Sequence, residues 1–238
     1  MKIIEFIKDI IAPKKCYFCS AEGHFFCPQC YKSFPIISEL CYVCKHSSSH
    51  FTIHDHCRRY LDVQSLIVLF PYQKIQKLIK DSKYYAKKDI LQDVWDYAWK
   101  VLLEKLEIRN SSDYIILPIP MNFWRKSKRW YNHADILAKY ISKSSGIDYH
   151  TKIIKRVKNT LQQSRLTRTE RLSNLDGAFK IDDKYKHLIG WKKIILVDDV
   201  VSTWVTFLEV AAAFDGQDVD SIDCLAIASD TKIFDEKE

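Results

Sequence analysis

The sequence predicts an α/β protein, a parallel sheet flanked by helices and preceded by a small cysteine-rich metal-binding module. Three observations carry this. Seven of the eight cysteines lie before residue 58, six of them in three C-x-x-C pairs and the seventh in an H-x-x-C pair. From residue 61 onward, short unbroken apolar runs alternate with segments of helical periodicity, which is how strands buried on both faces and their crossover helices read. One of those apolar runs ends in two adjacent aspartates followed by hydroxyl residues, and ligands of parallel sheets gather at the carboxyl ends of strands.

The first eleven residues place Ile3, Ile4, Ile7, Ile10 and Ile11 on one helical face, with Glu5, Lys8 and Asp9 interrupting any export signal. A short packing helix and a cytoplasmic location are expected. No run of about 18 apolar residues occurs, so no membrane span is expected.

The pairs Cys16-x-x-Cys19, Cys27-x-x-Cys30 and Cys41-x-x-Cys44 are completed by His54-x-x-Cys57. Each pair puts two ligands on one turn, and two such turns make the tetrahedral set of a closed structural Zn²⁺ site. Eight ligands suffice for two ions. Sequential pairing is expected, with crossed pairing and His56 in place of His54 as alternatives. Disulfides would need an oxidising compartment, and redox C-x-x-C chemistry is the third reading. Residues 1–60 are therefore read as helix plus zinc module, and 61–238 as the α/β domain.

Within that domain, strands are expected at Ser65–Phe70, Tyr114–Pro118, Lys193–Val197 and Ser221–Ala228. Helices are expected at Ile75–Lys83, Lys88–Leu106, Ala134–Ser142 and Phe207–Phe214. The run Ile194–Val197 leads into Asp198-Asp199-Val200-Val201-Ser202-Thr203-Trp204-Val205-Thr206. Paired acids at a strand end suit ribose hydroxyls or hydrated Mg²⁺, and hydroxyls at a helix start suit a phosphate monoester.

This stretch resembles the ribose-phosphate motif of phosphoribosyltransferases. Two further segments narrow the resemblance to the ComF/GntX-type family. One is Pro118-Ile119-Pro120 with Arg125 and Arg129-Trp130-Tyr131-Asn132-His133-Ala134. The other is Arg156…Thr160…Gln163…Arg168…Arg171…Asn174…Gly177-Ala178-Phe179. The family's Cys-x-x-Cys series is present as well, so the resemblance covers nearly the whole chain.

It implies a type I phosphoribosyltransferase-like fold that binds phosphoribosyl pyrophosphate with Mg²⁺. Asp198 and Asp199 would hold the ribose hydroxyls; Ser202, Thr203 and Thr206, in the loop that includes Trp204 and Val205, would bind the 5′-phosphate. Arg125, Arg129, Arg156, Arg168 and Arg171 would lie in basic loops over the pyrophosphate. The family also implies a part in DNA uptake during natural transformation, with single-stranded DNA and uptake or recombination proteins as partners. A phosphoribosyltransferase activity would have an acceptor that the sequence does not name. The alternative is a non-catalytic zinc-ribbon adaptor or DNA-binding protein on a degenerate version of the fold. The formal charge of +7 suits anionic partners of either kind.

The chain departs from the family at His133 (Gln in relatives), His54 (Cys) and several tryptophans. It contains 6 Trp and only 5 Gly, and Trp130, Trp191 and Trp204 stand where the family has glycine. UGA codons that specify glycine, read as tryptophan, would produce this pattern. At 204 the side chain would fill space meant for phosphate, and a left-handed turn there would add about 1–2 kcal/mol of strain.

Overall fold

A computed structural model describes residues 13–35, 37–58, 63–84, 90–95, 99, 106, 108–121, 131–158, 177–201 and 204–229. The expected N-terminal helix, Arg125, Arg129, Trp130, Thr160, Gln163, Arg168, Arg171, Asn174, Ser202 and Thr203 lie outside the described residues, as does most of the expected helix 88–106, of which 90–95 are helical.

Four parallel strands form the central sheet: β1 (Ser65–Pro71), β2 (Tyr114–Pro118), β5 (Lys193–Val201) and β6 (Ser221–Ser229). Their spatial order is β1-β6-β5-β2, all parallel. Burial on both faces explains the unbroken apolar runs: every residue of β2 is buried, as are all of β1 but Pro71. Helix α3 (Tyr72–Tyr84) packs on β1 and β6, and α4 (His133–Ser145) packs on β5 and β2. The buried residues of α4 are His133, Ala134, Leu137, Ala138 and Ile141, the i, i+3, i+4 spacing of one helical face. Asn132 caps its start by accepting from the Ala134 amide, and Gly146 ends it at φ 73°, a left-handed C-cap that glycine takes without steric cost. Helix α5 (Val205–Ala212) follows β5 and packs on the short strand Phe179–Ile181.

Most elements run one to three residues beyond their expected bounds, and three differences bear on the site. Strand β5 runs on through both aspartates to Val201, because β6 continues to pair with it as far as Ser229. Helix α5 begins two residues earlier than expected and stops at Ala212, where the chain turns. The basic stretch after Lys152 opens with a strand, not a loop: β3 (Ile154–Arg156) pairs antiparallel with β4 (Phe179–Ile181).

The cysteine-rich module contains the short helices α1 (Pro28–Lys32) and α2 (Asp55–Arg58). It shares one hydrophobic cluster with the sheet. Phe26 is fully buried and its ring meets Phe70 of β1 edge-on at 6.2 Å; Phe34 meets the same ring at 5.5 Å. The Ile37 amide donates to Leu69 O and the Ile53 amide to Gln64 O. Tyr17 donates its hydroxyl to Asp81 on α3 at 2.7 Å. Among the described residues no helix is long and apolar enough to cross a membrane.

Candidate functional site

Chemistry-bearing side chains gather at two places, the cysteine–histidine clusters and the acidic end of β5. The first cluster brings together Cys16, Cys19, Cys27 and Cys30; the second brings together Cys41, Cys44, His54 and Cys57. Pairing is sequential, and His54, not His56, joins the second set, with Nδ1 3.2 Å from Cys44 Sγ. Within each set all ligand atoms lie within 4.8 Å of one another. Four sulfurs at 2.3 Å around a tetrahedral Zn²⁺ would be about 3.8 Å apart, and Cys19 and Cys27 sulfurs are 3.6 Å apart. All eight cysteines are free thiols. The donor sets therefore fit zinc, and with four protein ligands each they would be closed, structural sites.

The two leading knuckles are built alike. Ser20 (φ 63°) and Lys45 (φ 65°) follow the second cysteine in a left-handed conformation. Each amide closes back on the first cysteine, Ser20 N to Cys16 O at 2.9 Å and Lys45 N to Cys41 O at 2.8 Å. Backbone N–H groups at Cys27, Phe18 and Cys19 draw the Cys16 thiol down to about 6, against burial that acts the other way. Cys57 is pushed up to about 11 by burial and by its cysteine neighbours Cys44 and Cys41. Binding of a divalent ion would release the protons that such thiols retain.

At the sheet, Asp198 and Asp199 lie at the carboxyl end of β5. The Asp199 amide donates to Asp198 Oδ1 and the Val200 amide to Asp199 Oδ1, both at 2.8 Å, so the two carboxylates are fixed on one stretch of chain. Helices α3 and α4 supply what surrounds them. Lys83 Nζ is 2.5 Å from Asp199 Oδ2, and His133 Nδ1 is 3.9 Å from the same oxygen. His133 is 3% exposed, and its Nε2 lies 3.3 Å from Ser82 Oγ. Tyr131 donates its hydroxyl to Ser82 O. The Asn132 side-chain amide donates to Ile119 O at 2.9 Å, and the Ile119 amide donates to Val197 O at 2.8 Å. The Pro118-Ile119-Pro120 segment is thereby tied to the end of β5.

Burial, reinforced by the Asp199 charge, pushes the Asp198 carboxyl up to about 8. Burial acts on Asp199 too, but the Lys83 ammonium and His133 outweigh it and hold that carboxyl well below the usual range. The two carboxyls are therefore pushed apart, Asp198 toward its protonated form and Asp199 toward its ionised form.

Arg156, expected over the pyrophosphate, sits at the end of β3 with its guanidinium carbon 5.1 Å from the Phe179 ring centroid. Val205 is buried in the first turn of α5. Trp204 precedes that helix at φ −71°, so no left-handed strain arises there. Its indole is 3% exposed and packs against Tyr42 and Phe207, centroids 4.1 and 5.9 Å away. Trp191 is the tryptophan in the left-handed region, at φ 58° and 80% exposed.

Lys83, Ser82 and Tyr131 were not among the sequence candidates. One lysine on the charged face of an amphipathic helix carries no signal of its own. A second polar group was detectable: Asp223 interrupts the apolar run of β6, and a carboxylate in a buried strand requires a partner. It is 7% exposed and accepts from Ser65 Oγ at 2.5 Å.

No family model matches the chain. It is 35% identical to competence protein F of Haemophilus influenzae over 96 residues, which cover 40% of this chain and 42% of that protein. It is 25% identical to DNA utilization protein YhgH of Escherichia coli K12 over 215 residues, 85% of this chain and 91% of that protein. The chain is a homologue of both. A third relative, YhgH of Salmonella typhimurium, is 24% identical over 216 residues. The match to competence protein F thus spans less than half of that relative's length, whereas the match to YhgH of Escherichia coli K12 spans 91% of that protein.

Proposed function

We propose that this chain handles incoming DNA, in the sense that the names competence protein and DNA utilization protein describe for its relatives, and that it does so with a phosphoribosyl pyrophosphate pocket at the carboxyl end of β5. The observation that carries the pocket is the Asp198–Asp199 pair held at the end of a parallel strand beside Ile119 and the start of α4, where open α/β sheets bind ligands. Adjacent carboxylates at a strand end suit the vicinal hydroxyls of a ribose, and hydrated Mg²⁺ suits the same oxygen donors. Mg²⁺ when bound would neutralise pyrophosphate oxygens. Arg125, Arg129, Arg168 and Arg171 would add cationic charge as the C1–O bond breaks and pyrophosphate leaves. The basic segments would also attract a nucleic-acid backbone. Zinc in the two clusters would be structural.

Titration calorimetry with phosphoribosyl pyrophosphate and Mg²⁺ tests the pocket. Saturable heat that disappears in Asp198→Ala/Asp199→Ala supports it, and absence of heat in the unmodified chain refutes it. Binding of single-stranded DNA that weakens with salt and with charge reversal at Arg125 and Arg129 tests the DNA role. Trp204 favours a second reading, a non-catalytic adaptor: its indole is buried at the N-terminal end of α5 and offers the helix no side-chain cap.

A further inference from the structure

The acid pair at the end of β5 already has a cation in contact with it. Lys83 Nζ stands 2.5 Å from Asp199 Oδ2, with side chains only 16% and 19% exposed. His133 faces the same oxygen at 3.9 Å, and the Asp198 carboxyl is its hydrogen-bonding neighbour on the strand. A Mg²⁺ ion bonded to a carboxylate oxygen lies about 2.0–2.1 Å from it. An ammonium and a divalent ion on one oxygen would be close enough to repel strongly in a site with little water to screen them. They exclude one another.

We propose that Lys83 is a built-in competitor for the divalent cation: it holds the acid pair while the site is empty, leaves Asp199 when the metal enters, and passes its ammonium to the anionic ligand that arrives with the metal. The proposal rests on reading the pair as a cation and phosphoribosyl site. Lysine is suited to such a part, being a compact charge on a flexible four-carbon stem, with no planar fork to lock it onto one carboxylate. Its place in the last turn of α3 keeps a cation favourable there after it leaves the carboxylate, since the helix dipole is negative at that end. Asp199 has less freedom, because the Val200 amide donates to its Oδ1 at 2.8 Å. The consequence is selectivity. Free Mg²⁺ must displace Lys83 without compensation and binds weakly, whereas a metal–pyrophosphate chelate supplies the anion that receives the ammonium.

The test is Mn²⁺ binding to the full chain, read by electron paramagnetic resonance, for the unmodified protein and for Lys83→Gln, Lys83→Met and Lys83→Arg. Each is measured with and without phosphoribosyl pyrophosphate, and folding is checked by circular dichroism and unfolding midpoint. Lys83→Gln is expected to bind Mn²⁺ alone at least about fivefold more tightly and to bind the chelate about tenfold more weakly, while Lys83→Arg keeps weak Mn²⁺ binding. Lys83→Met, which preserves the apolar stem, replaces Lys83→Gln if that variant does not fold. Mn²⁺ affinity that is equal or lower in a folded variant lacking the ammonium, yet lost in Asp199→Asn, overturns the Lys83 proposal and leaves the pocket reading intact. No Mn²⁺ binding to any form overturns both.

Discussion

The ring centroid of Tyr42 lies 4.1 Å from that of Trp204, with the planes inclined by 60°. Tyr42 is held between two metal ligands, Cys41 and Cys44, and Trp204 opens the helix that follows the acid pair. The second cluster and the start of α5 are therefore in direct packing contact. Removing the metal from the second cluster should loosen the Tyr42 side of this contact. Cys57→Ser, or stripping with a strong chelator, is expected to shift tryptophan emission to longer wavelength and to weaken binding at the acid pair. Cys30→Ser, in the first cluster, should leave the emission nearer to that of the unmodified chain. Equal emission shifts in the two variants would mean that the Tyr42 contact does not transmit the loss.

The acid pair makes stability depend on pH with a definite sign. The Asp198 carboxyl is raised to about 8 in the folded chain from an ordinary 3.8. Its contribution is fully present below about pH 4 and is lost as pH rises toward 8, because burial favours the protonated form. Asp199 acts oppositely: its lowered value stabilises the fold above about pH 4, and that contribution is lost on acidification. Denaturant titrations from pH 5 to 9 should show stability falling with pH, and Asp198→Asn should flatten the fall. Cation binding should strengthen over the same range as the proton departs.

Ser65 and Asp223 form a buried pair at the opposite end of the sheet, joining the start of β1 to β6. Ser65→Ala leaves the carboxylate without that donor. A loss of about 1–3 kcal/mol is expected, or several degrees in midpoint for a chain of this length. Ser65→Ala combined with Asp223→Asn should cost less than the sum of the single changes, since the pair is coupled.

Trp191 and Trp204 should respond oppositely to replacement by glycine. Trp191 is exposed and left-handed, so Trp191→Gly relieves backbone strain and should raise stability by about 1 kcal/mol. Trp204 is buried at φ −71°, so Trp204→Gly removes a core side chain and should cost about 3–5 kcal/mol. Thermal unfolding of both variants measures this. The codons at 130, 191 and 204 address the recoding directly: UGA at these positions supports glycine as the natural residue, and UGG refutes it.

Much of this could be read in the chain, and the reasons are local. Cysteine spacing fixes which ligands share a turn, because two thiols three residues apart must lie on one knuckle. The run Tyr114–Pro118 becomes a strand with the bounds expected from its apolar length. Strand β5 overran its expected end because pairing with β6, not the residues' polarity, decides where a strand stops. The β3–β4 hairpin was missed because three-residue strands carry too few alternations to register against a background of lysine and arginine.

The sequence by itself determined the eight-ligand series, the parallel sheet and the acid pair at a strand end, since each depends on neighbours in the chain or on hydrophobic period. Only the tertiary structure decided that Cys16 to Cys30 and Cys41 to Cys57 close separately, that His54 supplies the eighth ligand, and that Lys83 from one helix and His133 from another converge on Asp199. Those partners lie 116 and 66 positions away along the chain. Charge attraction between them acts through space, so it left no spacing in the sequence to read.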